Sequence, residues 1–64
     1  MIINELDIVL LKDGREGTVI DIYENGNVFL IEICNSKGET LCTPFVKKED
    51  IACVTHYKKS EQNQ

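Results

Sequence analysis

Apolar residues recur along this chain with a period of two, and the clearest case is Val28–Cys34, which reads VFLIEIC. A strand sends successive side chains to opposite faces. Phe29, Ile31 and Ile33 therefore share one face, and Val28, Leu30, Glu32 and Cys34 the other. The carboxylate at position 32 assigns the second face to water and the Phe29 set to the core. Residues 17–23, GTVIDIY, are rich in β-branched side chains and predict the preceding strand. There Asp21 marks the wet face, which puts Ile20 and Ile22 inside and Val19 and Tyr23 outside. The two strands are joined by Glu24, Asn25, Gly26 and Asn27. A type I′ turn needs positive φ at both central positions, and Asn-Gly tolerates that, so the pattern predicts a hairpin.

The rest of the chain is punctuated in the same way. Residues 6–11, LDIVLL, predict a first strand, apolar on both faces beyond Asp7, which leaves its register open; Ile8 and Leu10 are core candidates, with Leu41 and Ile51 as further ones. Residues 12–16 and 35–38 are polar connections; Gly14 and Gly17 read as turn residues, and Gly38 suits a left-handed position. Residues 40–45 predict a fourth strand. Its Pro44 has no N–H to donate and belongs at an edge or a strand end. Residues 47–50, KKED, predict a single 3-10 or helical turn, and residues 51–57 a fifth strand. Residues 58–64 lack an apolar anchor and predict a flexible C-terminal tail, with a short terminal helix as the alternative.

Five short strands with hairpin turns and one 3-10 turn before the last strand predict an all-β domain over residues 1–57. A flat sheet would leave its apolar face wet, so the expected form is a small, strongly bent antiparallel barrel. No segment is long enough for a βαβ unit. With 64 residues in all, such a domain buries only about 60% of the surface its unfolded chain exposes. A ligand pocket of roughly 300–1,000 Å³ would consume most of its core.

The layout resembles an SH3-like barrel. It is also similar to a small bacterial family of unknown function whose members open with Asn-Glu-Leu-Asp followed by apolar residues, here Asn4, Glu5, Leu6 and Asp7 and then Ile8 to Leu11. The resemblance continues through Gly-Thr-Val (Gly17, Thr18, Val19) and a Tyr-Glu-x-Gly turn (Tyr23, Glu24, Gly26). It then takes in an alternating strand (Phe29, Ile31, Glu32, Ile33), a Gly-Glu-Thr turn (Gly38, Glu39, Thr40) and a late Asp-Ile (Asp50, Ile51). It spans residues 4 to about 54 and implies the barrel; these motifs build turns and strands and imply no activity. The connection at residues 12–16 is shorter than the family's loop, which argues against a proline-peptide groove. Leu30 stands where relatives tend to carry a polar residue.

Charge and chemistry narrow the function classes. Eleven acids against seven bases give a net charge of −4, which favours a neutral or basic partner over a phosphate backbone. No apolar run approaches the ~18 residues of a membrane span, and the first residues, MIINELD, carry acids where a secretory signal needs bases. The expectation is a cytoplasmic chain with reduced thiols at Cys34, Cys42 and Cys53. Those cysteines and His56 supply four zinc-type side chains, but Cys53 and His56, three apart in a strand, point to opposite faces. No metal site and no cofactor are expected. A nucleophilic cysteine needs a base within hydrogen-bond reach, and none is evident. Asp13, Glu16, Asp21, Glu24 and Glu32 read as carboxylates of turns and wet faces. Asp7 reads as a brace that accepts backbone N–H bonds in the adjoining turn. The chain is therefore read as no enzyme.

What remains is a surface. If the alternation holds, Val19, Tyr23, Val28 and Leu30 lie together on the wet face of the central hairpin. Contiguous exposed apolar groups with a charged rim mark binding sites, and tyrosine is frequent among binding hot spots. The unpaired edge near Pro44 also suits addition of a partner's strand. The expected function is a non-catalytic protein–protein interaction module: an adaptor, or an immunity- or antitoxin-like inhibitor that covers an enzyme or toxin with a basic surface. One alternative is a small nucleic-acid-binding barrel using Lys47, Lys48, Lys58 and Lys59 with His56 and Tyr57. The other is a Cys/His metal site.

Overall fold

The computed structural model describes residues 1–57. The expected tail and the lysines at 58 and 59 lie outside the described residues. The fold is all-β, with strands β1 (Ile8–Leu11), β2 (Glu16–Tyr23), β3 (Val28–Cys34), β4 (Thr40–Cys42), β5 (Phe45–Lys47) and β6 (Ile51–His56). All the pairings are antiparallel. The order across the sheet is β4-β3-β2-β1-β6, with β5 also pairing β3. The sheet is an open path and does not close on itself, where the sequence led us to expect a closed barrel. Its apolar face is kept dry nonetheless. Ile3, Val9, Leu11, Val19, Phe29, Ile31, Ile33, Val46 and Ile51 form one buried cluster, so the sheet wraps onto its own inner face.

Among the described residues six strands appear instead of five, because the expected fourth strand breaks at Thr43–Pro44. Both halves still follow the same edge of β3: Cys42 faces Ile33, and Phe45 faces Leu30. The Pro44 carbonyl accepts the Ile31 N–H at 3.0 Å across the break. The 3-10 turn expected before the last strand is present at Lys48–Asp50. The Asn-Gly connection is left-handed: Glu24, Asn25 and Gly26 have φ of 54°, 57° and 88°. The Asn27 N–H reaches the Glu24 carbonyl at 3.2 Å, as a type I′ turn around Asn25 and Gly26 requires.

Phe29, Ile31 and Ile33 are buried as the alternation predicts, and so is Ile51. Other positions are reversed, each for a backbone reason. Val19 is fully buried and Ile20 is exposed. The pairing of β2 with β3 runs Val19↔Ile31 and then Asp21↔Leu30, so Ile20 is the extra residue of a bulge. A bulge shifts the period-two phase by one. Asp21 therefore correctly marks the wet face for Ile22 and Tyr23 and misplaces Val19 and Ile20. On β1 the buried residues are Val9 and Leu11, in phase with the buried Asp7, and Ile8 and Leu10 are only half-buried. Leu41 is exposed, because Ile33↔Cys42 is followed by Cys34↔Thr40 and Leu41 is itself an extra residue. Gly17 is not a turn residue. It lies in β2, where an added Cβ would stand 2.5 Å from Ile31 Cγ2 and 2.7 Å from the Glu32 carbonyl oxygen.

Candidate functional site

The outer face of the β2–β3–β5 layer is where the chain gathers exposed apolar groups. Pairing sets them in rows: Asp21, Leu30 and Phe45 lie side by side, and Tyr23, Val28 and Lys47 form the next row. Of the four side chains expected together, Tyr23, Val28 and Leu30 share this face, and Val19 is in the core instead. The alternation missed Phe45, which is 69% exposed. Its ring meets that of Tyr23 edge-on, with centroids 5.7 Å apart and planes inclined by 61°, the geometry that aromatic quadrupoles favour. The signal for Phe45 lay in its place one residue after Pro44: a strand restarted there must return to the edge of β3.

The Asp21 carboxylate fixes this face. One oxygen accepts the Ile22 N–H at 2.9 Å, and the other accepts the Tyr23 hydroxyl at 3.0 Å. Donating to a carboxylate favours the protonated phenol, so the Tyr23 pKa is raised above its ordinary value, first by this hydrogen bond and then by desolvation and by the charge on Asp21. On the same side of β3, Glu32 accepts a hydrogen bond from the Thr40 hydroxyl. Two hollows flank β5. One, of about 410 Å³, has an apolar wall of Leu11, Pro44, Phe45 and Val46, with Arg15 at its border. Arg15 is held by Asp13 at 2.9 Å. The other, of about 480 Å³, sets Lys47 and Lys48 against Glu24 and Glu49. Neither offers the convergent positive groove that phosphate backbones need. His56 ends β6 opposite Ile8, and the sheet pairing does not join it to Lys47 and Lys48.

The thiols do not converge. Cys34 and Cys42 lie on the β3–β4 ladder, opposite Thr40 and Ile33, while Cys53 faces Leu10 on the far strand β6; all three are exposed and free. Among the described residues no group of three or more His, Cys, Asp or Glu side chains is placed to hold a metal ion. Asp7 is the buried carboxylate, and its Oδ2 accepts the Asn4 N–H at 2.8 Å. That is the bracing role its position predicts. Among the described residues no helix is long and apolar enough to cross a membrane.

A family model described as "Domain of unknown function (DUF4926)" matches residues 3–53, close to the span over which the motifs resemble an uncharacterised family. No curated protein matches the chain, and no solved structure matches it.

Proposed function

We propose that this chain, which belongs to the family described as Domain of unknown function (DUF4926), is a non-catalytic protein–protein interaction module that docks through the outer face of β2, β3 and β5. One observation carries the reading: Tyr23, Val28, Leu30 and Phe45 form a contiguous apolar surface on paired strands, with the two rings in contact. Exposed surfaces of this kind mark binding sites. The hairpins and the 3-10 turn directly before the last strand support an SH3-like reading of the fold. A small, acidic, cytoplasmic chain of this kind serves as an adaptor, or as an immunity- or antitoxin-like inhibitor laid over an enzyme or toxin.

The test compares the wild-type chain with the double variant Tyr23→Ser, Leu30→Ser in affinity capture from native lysate, with thermal unfolding measured in parallel. The expected result is a stoichiometric protein partner that the double variant loses while keeping a cooperative transition. Equal capture by the two chains refutes the assignment of this face. Capture of nucleic acid that depends on Lys47 and Lys48 would favour the nucleic-acid alternative.

A further inference from the structure

The segment before β1 carries a backbone irregularity that the core does not explain. Asn4, Glu5, Leu6 and Asp7 form a turn closed by the Asp7 N–H on the Asn4 carbonyl at 3.1 Å, and the Asp7 carboxylate holds the Asn4 N–H in return. Leu6, the third residue of this turn, has φ of 74°. That position asks for glycine or asparagine, and a bulky side chain there is strained. The hydrogen bonds show why the chain bends. Val19 donates to the Asp7 carbonyl at 2.9 Å, while the Val19 carbonyl accepts from Leu6 at 2.7 Å. Leu6 and Asp7 thus oppose the single residue Val19, which is the bulge whose first position is normally a left-handed glycine.

Leu6 gains little burial from holding that position, since it is 56% exposed. The carbonyl it binds belongs to the peptide that leads into Ile20, the extra residue of the second bulge, itself 40% exposed. Two adjacent bulges therefore each leave an apolar side chain exposed: Ile20 next to the row that holds Asp21, Leu30 and Phe45, and Leu6 on the neighbouring segment hydrogen-bonded to Val19. Bulges re-aim side chains near functional sites, and backbone strain held in place by its surroundings clusters at such sites. Acids outnumber bases on this face: Asp21 lies in the row with Leu30 and Phe45, and Glu32 on the same side of β3, while Lys47 ends the Tyr23–Val28 row beside Glu24 and Glu49.

We propose that Leu6 and Ile20 extend the docking face across β1 and β2, and that the extended face takes a protein whose contact surface is apolar at its centre and basic at its rim. This rests on the outer-face reading above and names its partner by charge complementarity. Electrostatic complementarity of this kind sets orientation and association rate, and the apolar anchors set the lifetime of the complex.

The test uses three variants of the full chain: Leu6→Gly, Ile20→Thr, and the Tyr23→Ser, Leu30→Ser pair. The probes are synthetic peptides that alternate leucine with lysine, a matched set that alternates leucine with glutamate, and lysine–serine peptides without apolar residues. The wild-type chain is expected to bind the leucine–lysine set at least tenfold more tightly than either other set. Leu6→Gly and Ile20→Thr are each expected to weaken that binding about tenfold or more, without lowering the thermal midpoint, because glycine relieves the strain at position 6. Unchanged affinity in these two, with binding lost in the Tyr23/Leu30 pair, overturns the extension and leaves the central face standing. Unchanged affinity in all three variants overturns both. Equal binding of the lysine–serine peptides shows attraction by charge alone and overturns the extension. So does a self-associated wild-type chain that Leu6→Gly renders monomeric, since the face would then be covered by a second copy.

Discussion

Gly17→Ala tests the packing that this face stands on. Gly17 is buried in β2, and an added methyl would lie 2.5 Å from Ile31 Cγ2 and 2.7 Å from both Ile33 Cδ1 and the Glu32 carbonyl oxygen. Carbon atoms pack at about 3.5–4.0 Å, so each side-chain contact must open by about 1 Å. The two isoleucines can respond by leaving their rotamers, but the Glu32 oxygen is backbone of β3 and moves only if the strands part. Overpacking of this kind costs about 1–3 kcal/mol, and a weakened ladder hydrogen bond adds about 1 kcal/mol. Against that, alanine recovers about 0.5–1 kcal/mol of the conformational entropy that glycine loses on folding. The net expectation is a loss of about 1.5–3 kcal/mol, a large share of the roughly 3–10 kcal/mol available to a chain of this length. In thermal unfolding followed by circular dichroism, the midpoint should fall by about 10–20 °C. Urea titration should show a lower midpoint with an unchanged slope. An alanine variant as stable as the wild type would refute the close approach of β2 to β3, and with it the register that sets Tyr23 beside Val28.

Val19→Ala should cost about 2–3 kcal/mol, because Val19 is fully buried. Ile20→Ala should stay within about 0.5 kcal/mol as an exposed substitution, and urea midpoints in the opposite order would place the bulge elsewhere. The phenolate absorbance of Tyr23 should titrate above 10.0 and return toward it in Asp21→Asn, because the hydrogen bond to Asp21 favours the protonated ring. A folded-state pKa raised above the unfolded one contributes stability that is present below pH 10.0 and lost as pH rises through the folded value. Asp13 is shifted the other way, lowered chiefly by its hydrogen bond with the Arg15 side chain. What it contributes is present above pH 3.8 and lost as pH falls through the folded value. Exposure keeps that contribution small, so Asp13→Asn should unfold close to the wild-type midpoint at pH 7, and a large drop there would contradict the exposed pair.

The elements that could be read from the sequence are those in which one local rule acts alone. β3 has an uninterrupted period of two and one carboxylate to orient it, and all its inward positions are as expected. The Asn25-Gly26 turn and the Lys48–Asp50 turn follow from backbone chemistry within four residues. The failures sit where a bulge inserts a residue. Val19 and Ile20 exchange faces because β2 passes two residues against Leu30, and Leu41 is expelled because β4 does the same against β3. Val19 and Ile20 are alike in being apolar and β-branched, and Leu41 stands between Thr40 and Cys42, so nothing in the residue types records the shift. Asp7 pointed to the correct phase of β1. It is buried as the acceptor of the Asn4 N–H, but β1 is apolar on both faces beyond it, so the residue types alone make Ile8 and Leu10 as good core positions as Val9 and Leu11. Phe45 was missed because it reads as the last residue of one strand over 40–45, whereas the chain breaks at Thr43–Pro44 and Phe45 opens a new strand.

On the proposed reading, these bulges are what give so small a sheet apolar area to bury against a partner. A single layer with period-two strands can cover one apolar face by curling, and here that face takes Val9, Leu11, Val19, Phe29, Ile31 and Ile33. The opposite face has no second layer over it among the described residues, yet it holds Leu30, Val28, Tyr23, Ile20 and Phe45 in half-buried or exposed positions. Polar residues there would serve the fold equally well, since side chains that stay wet contribute little to stability. Each 100 Å² of this face that a partner removes from water is worth about 2.5 kcal/mol of gross apolar transfer. The bulge at Ile20 and the strained turn at Leu6 enlarge the face at the expense of the core, the exchange expected of a face that a partner covers, as proposed above.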